Sequence, residues 1–204
     1  SEEFISEKLE EMGWRYLTPS ELLPNKSQPL SLTLLRKSLE RINQVEEDEI
    51  EEILSFLISR SSSVEGCREI LRALKDGVPI KDKEGVSKNV KLIDYENVSN
   101  NDLIYSRQVY YRGVEEDVPD VVLYVNGISI ALIECKGMTK SWKEAYSQVK
   151  RYEREVPELF KYVQLSVGVA DKVVYFPNVR WSDDVPVYEW EADNPTGFLS
   201  PAVL

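Results

Sequence analysis

Asn126 and Gly127 stand between two long apolar runs, and no other feature narrows the possible folds of this chain as much. Asn-Gly is the favoured pair for a two-residue hairpin turn, because both positions tolerate positive φ. The flanking runs, Val118 to Val125 and Ile128 to Lys136, are rich in Val, Ile and Leu. Strands apolar on both faces belong inside a sheet. The pattern therefore predicts a buried antiparallel hairpin. Its charges gather at the open end, with Asp120 near the start of the first strand and Glu134 and Lys136 near the end of the second.

Antiparallel pairing sets the start of one strand beside the end of the other. Pairing Val125 with Ile128 is expected to place Asp120 roughly opposite Cys135, between Glu134 and Lys136. Alternation puts Glu134 and Lys136 on one face and Cys135 on the other. Asp120 then needs a bulge, a bend or strand splaying to aim at that face, and Pro119 favours such an irregularity. Two carboxylates a few Å apart repel each other and are costly to bury. A hard divalent cation, Mg²⁺ or Mn²⁺, removes the repulsion. It also makes a bound water nucleophilic near neutral pH. Lys136 can orient that water or offset charge on a pentavalent phosphate. The bland alternative is a Glu-Lys pair at a strand end and an unrelated Asp.

Pro119 to Lys136, P-D-(x13)-E-C-K, resembles the PD-(D/E)xK nuclease signature. The wider text, Q-V-Y-Y-R-G…V-P-D-V-V-L-Y-V-N-G-I-S-I-A-L-I-E-C-K-G, resembles the N-terminal nuclease region of the restriction (R) subunit of type I restriction-modification enzymes. The Asn-Gly turn, I-E-x-K and a later Q-x-x-x-Y, here Gln148 to Tyr152, belong to that pattern. The likeness runs from Glu2 to about Trp190. Cys135 departs from it, since the family more often has Leu or Val there. A buried cysteine behaves as a small hydrophobe, so the departure leaves the site intact.

The resemblance implies an α/β, restriction-endonuclease-like fold, a mixed central sheet flanked by helices. It implies a type I site-specific deoxyribonuclease cleaving DNA phosphodiester bonds with Mg²⁺, Mn²⁺ serving as substitute. Asp120, Glu134 and the Cys135 carbonyl would bind the metal, Lys136 would position or activate water, and Gln148 and Tyr152 would assist or approach DNA. Many nucleases of the superfamily add a first-helix glutamate. Measured back from Gly13-Trp14, Glu2 matches best and Glu3 is the fallback. The competing readings are a Glu2 that only complements the helix dipole, a Tyr152 that is only core and a Gln148 that only borders it. Implied partners are double-stranded DNA and the methylation and specificity subunits, in the cytoplasm.

Family R subunits continue into an ATP-driven translocase. This chain has no G-x-x-x-x-G-K-[ST] phosphate loop, so ATP belongs to a motor outside it. Residues 1–190 are expected to form the endonuclease domain and 191–204 an exit segment, the chain being a fragment. Rival readings are another PD-(D/E)xK enzyme, such as a type III restriction or repair nuclease, and a non-catalytic docking domain. A small-molecule enzyme is weaker still, since no nucleotide or cofactor fingerprint appears.

Composition sharpens this. The 204 residues contain no histidine, which excludes His-based triads and H-E-x-x-H zinc sites. Two distant cysteines, Cys67 and Cys135, suit a reduced cytosolic protein and cannot make a zinc ribbon. No run approaches the length of a transmembrane helix, and no membrane partner is expected. The net charge of −11 argues against autonomous, tight DNA binding. Yet Lys136 to Arg154 holds six Lys/Arg against two Glu, an excess that faces either solvent or a phosphate backbone.

In chain order, periodicity predicts helices over Glu2 to Gly13, Leu30 to Val45, Asp48 to Arg60, Glu65 to Lys75 and Trp142 to Val156. Thr18 to Pro29, with its prolines, reads as loop. Strands are expected at Val90 to Tyr95 and Leu103 to Tyr111, an exposed turn at Arg112 to Asp117, and a second hairpin around Asp171, while the resemblance implies a further strand, G-V-x-I, at Gly77 to Ile80. Pro177 to Leu204 shows no period.

Overall fold

The computed structural model describes residues 2–178 and 184–190. Helix α1 (Glu2–Glu11) buries Ile5 and Leu9, one turn apart, and carries acids in its first turn. Strand β1 (Arg15–Tyr16) follows. Helix α2 (Pro19–Leu22) lies where loop was expected. Thr18 and Glu21 form a capping box with Pro19 in the first turn, so the signal was present but short. Helices α3 (Leu32–Ile42), α4 (Glu47–Ser59) and α5 (Val64–Asp76) come next, each with one buried stripe.

The chain then enters β-structure. Strands β2 (Val78–Lys81) and β3 (Ser87–Val90) form a separate hairpin, so the strand expected over Val90 to Tyr95 instead ends at Val90. Strand β4 (Leu103–Arg107) stops at Gln108, whose φ of +54° breaks the extended run expected to reach Tyr111. Strands β5 (Tyr111–Arg112) and β6 (Glu116–Asp117) pair where an exposed turn was expected, and Asp117 is buried. Strands β7 (Val121–Val125) and β8 (Ile128–Cys135) make the predicted hairpin, with Asn126 at φ +54° and Gly127 at φ +82°. Helix α6 (Trp142–Glu155) and strands β9 (Leu165–Val169), β10 (Val173–Pro177) and β11 (Tyr188–Glu189) complete the described chain. Strand β11 falls in a segment expected to lack structure. The exit segment assigned to 191–204 lies outside the described residues.

Among the described residues, seven strands form one mixed sheet in the order β1-β4-β7-β8-β9-β10-β11. The β1/β4 and β8/β9 pairs are parallel and the rest antiparallel. One face packs on residues of α1, α3, α4 and α5, the other on α2, α6 and the Val156–Val163 segment. Every residue of β7, and all of β8 except Cys135, is buried. Full burial of each large apolar side chain there contributes roughly 1.5–3 kcal/mol, which keeps this hairpin at the centre.

The register holds the main correction. Val125 pairs with Ile128 and Tyr124 with Ser129, but Leu123 pairs with Ala131. Ile130 is thus an extra residue, a β-bulge on β8. Val121 then meets Ile133, and continuing the register sets Asp120 against Glu134, one residue short of the expected Cys135. Without Ile130 the count would set Asp120 against Ile133. Cross-strand partners share a face, and a shift of one residue exchanges faces. Val122, Tyr124 and Leu132 indeed share one core, and Val121, Leu123, Ala131 and Ile133 the other. The bulge therefore puts Asp120 and Glu134 on the same side of the sheet.

Candidate active site

Three elements meet at the open end of the hairpin. Asp120 precedes β7, Glu134 and Cys135 end β8, and Lys136 follows. Asp120 Oδ2 accepts a hydrogen bond from the Cys135 amide at 2.7 Å. Its own amide lies 3.5 Å from Glu134 Oε2. The two acids are thus tied to each other's strand through the main chain.

Glu134 is 1% exposed. Burial, and then the charge of Asp120, push its carboxyl up to about 7, against the pull of Lys136. Burial also raises Asp120, with the Cys135 amide opposing and the charge of Glu2 adding to the rise. Both acids are therefore short of positive charge. Burial lifts the Cys135 thiol to about 12, so its side chain stays a neutral, inert hydrophobe.

Helix α6 supplies the rest. It is anchored by its Ser141 cap and by Asp171, which accepts from the Trp142 amide at 2.9 Å. It approaches β9 closely because Gly168 has no side chain; a Cβ there would stand 3.0 Å from that of Ala145. Gln148 and Tyr152, one turn apart, point at the same object. Lys136 Nζ lies 3.3 Å from Glu134 Oε1 and in close contact with Gln148 Oε1. Gln148 Nε2 donates to the Tyr152 hydroxyl at 2.5 Å, and that hydroxyl donates to Glu134 Oε2 at 3.2 Å. The four side chains close a ring. Burial and the nearby Glu134 hold the Tyr152 phenol well above its ordinary range, so it acts as a donor.

Glu2 reaches the cluster from α1. Gln108 Nε2 sits 3.0 Å from each Glu2 carboxylate oxygen and 3.2 Å from Asp120 Oδ1. Arg107 Nη2 lies 3.3 Å from Glu2 Oε2. All seven residues singled out from the sequence therefore gather at one end of the sheet, Glu2 through an intermediary. Gln108 and Arg107 were not among them. Gln108 opens the Q-V-Y-Y-R-G text, but its positive φ and its contact across 106 positions leave no local pattern.

The donor set suits a hard cation: a buried and a half-buried carboxylate in want of charge, with the Cys135 main chain beside them. Among the described residues, no three His, Cys, Asp or Glu side chains form a ready cage. A metal here would rest on the two acids and main-chain or water oxygens.

Beyond Gln148, an open groove along α6 is lined by Lys143, Glu144, Ser147, Arg151 and Arg154. Arg151 lies 3.9 Å from Asp117 and 3.7 Å from Glu155. Lys143 and Arg154 make no ion pair among the described residues.

Residues 1–185 match the family described as "Type I restriction enzyme R protein N terminus". The chain is 34% identical over 183 residues to the "Putative type I restriction enzyme MjaVIIIP endonuclease subunit" of Methanocaldococcus jannaschii, covering 85% of this chain and 18% of that protein. It is 29% identical over 162 residues to the "Type I restriction enzyme EcoprrI endonuclease subunit" of Escherichia coli, covering 74% and 51%. It is 23% identical over 192 residues to the "Type I restriction enzyme HindI endonuclease subunit" of Haemophilus influenzae, covering 85% and 18%. The chain thus spans between about a fifth and a half of these relatives.

Proposed function

We infer, because the chain belongs to the type I restriction enzyme R protein N-terminus family, that the hairpin cluster is a Mg²⁺-dependent endonuclease site acting on duplex DNA. The observation that carries this reading is the ring of Glu134, Lys136, Gln148 and Tyr152 beside Asp120. A merely structural strand end has no need to bury Glu134 and to draw a half-buried Asp120 and Lys136 around it, at the cost of desolvation.

Asp120 and Glu134 would hold the cation, with the Cys135 carbonyl as a third protein ligand. Mg²⁺, when bound, supplies Lewis acidity to a phosphate oxygen and relieves the repulsion between the acids. Lys136 is held by Glu134 and Gln148, so its ammonium has a fixed position from which to orient an attacking water and offset charge on the pentavalent phosphate. Tyr152 fixes the Glu134 carboxylate by donating to it. The α6 groove, with Lys143 and Arg154, faces the DNA backbone. Recognition, methylation and ATP-driven translocation fall to other domains and subunits of the intact complex, so the isolated domain is expected to cut poorly and without sequence preference.

Asp120→Ala, Glu134→Ala and Lys136→Ala should each abolish cleavage by the reconstituted restriction complex while the fold, followed by circular dichroism, persists. Calorimetry on the 204-residue chain should show Mn²⁺ binding that Asp120→Ala and Glu134→Ala remove. Cleavage that survives these changes would leave a docking domain as the better reading.

A further inference from the structure

Gln108 donates to acids of both α1 and the hairpin. Its φ of +54° lies in the left-handed region, which a non-glycine side chain enters at a cost. Its amide donates to the Asp120 carbonyl at 3.1 Å, which fixes the backbone beside the acid. The side chain then turns its NH₂ group between the Glu2 and Asp120 carboxylates, 3.0 Å from both oxygens of the first and 3.2 Å from Oδ1 of the second. Those acids repel each other; the charge of Glu2 raises Asp120. A neutral donor between them offsets that repulsion without adding a cation.

We propose that Gln108 is a positioning residue that couples Glu2 on the first helix to Asp120 and sets the distance between their carboxylates. This rests on the nuclease reading for its consequence, though not for its geometry. Gln108 touches no reacting group and acts through the two acids. Docking of α1 does not depend on it: Ile5 and Leu9 are buried in the core, and Arg107 holds Glu2 separately. Loss of the Gln108 amide should therefore disturb the acid pair while the helix stays in place. Groups that orient metal ligands from behind typically cost ten- to a hundredfold in metal affinity when removed.

The test uses Gln108→Met, which keeps an unbranched side chain of similar length and removes the donor, and Gln108→Gly, which also relieves the backbone. The first measurement is a double-mutant cycle on thermal stability in chelator, combining Gln108→Met with Glu2→Gln. Non-additive changes are expected; strict additivity would overturn the coupling. The second is calorimetric titration with Mn²⁺. Gln108→Met and Gln108→Gly should both weaken binding roughly tenfold or more. A merely structural Gln108 would lower the melting temperature and leave Mn²⁺ affinity unchanged, and that result also overturns the proposal. If the unaltered chain takes up no Mn²⁺, the cation site fails, while the cycle in chelator still decides the coupling.

Discussion

Glu134 shows how one side chain ties the stability of this domain to its chemistry. Its carboxyl titrates near 7 in the fold, against an ordinary value of 4.5. The folded state thus favours the protonated form. The stabilising contribution is full below about 4.5 and is lost as pH rises through about 7. A shift of that size is worth at most about 3 kcal/mol. In chelator, urea denaturation should show stability falling across this window, and Glu134→Gln should flatten the fall. Asp120 and Asp117 are raised too, Asp117 by burial and by Glu155, so the comparison with Glu134→Gln isolates the one group. A wild-type curve that stays level or rises between about pH 5 and 7.5 would contradict the assigned burial.

At the scale of elements, the hairpin depends on its turn and its bulge. Gly127 has φ +82°, and a Cβ there would stand 2.6 Å from both Leu35 N and Ser31 O. Both contacts are main chain at the start of α3 and cannot swing aside. Its carbonyl also accepts from the Ser31 amide at 2.9 Å. Gly127→Ala should therefore cost about 2–4 kcal/mol through strain and overpacking together; a denaturation midpoint close to wild type would show that α3 yields. Asn126 is buried and contacts Asp102, Leu92 and Asn101 with its side chain, so the tip of the hairpin is held from outside the sheet. The Asn-Gly signal was legible in the sequence because turn chemistry is local. The Ile130 bulge was not, because it reflects how both faces of β8 pack at once. The need for some irregularity near Asp120 could be anticipated, but its site, mid-strand rather than at Pro119, could not. Strand β11 and helix α2 escaped notice because two and four residues are too few to show a period.

For the whole molecule, the proposed approach to DNA turns on charge. With 36 acidic against 25 basic residues, the domain as a unit repels phosphate. The groove beside the site runs against that balance, since it gathers Lys143 and Arg154, which lack ion-pair partners among the described residues, with Arg151 between them. Lys143→Ala and Arg154→Ala should each lower the slope of log affinity against log salt by about one for duplex DNA, uniformly across sequences. Filter binding or fluorescence anisotropy over a salt series measures this, and unchanged slopes would move the DNA path off α6.

The linear sequence determined the hairpin, the spacing of Asp120 from Glu134 and Lys136, and the pairing of Gln148 with Tyr152 on one helical face. These follow from periods of two and 3.6 residues and from turn preferences, which act over a few positions. Tertiary structure alone decided which face Asp120 shares, that Tyr152 closes a ring on Glu134, and that Gln108 and Arg107 bring Glu2 into reach. Each of these joins segments far apart in the chain. It holds only because α1 and α6 pack against opposite faces of the sheet, and both reach the end where β7 begins and β8 stops.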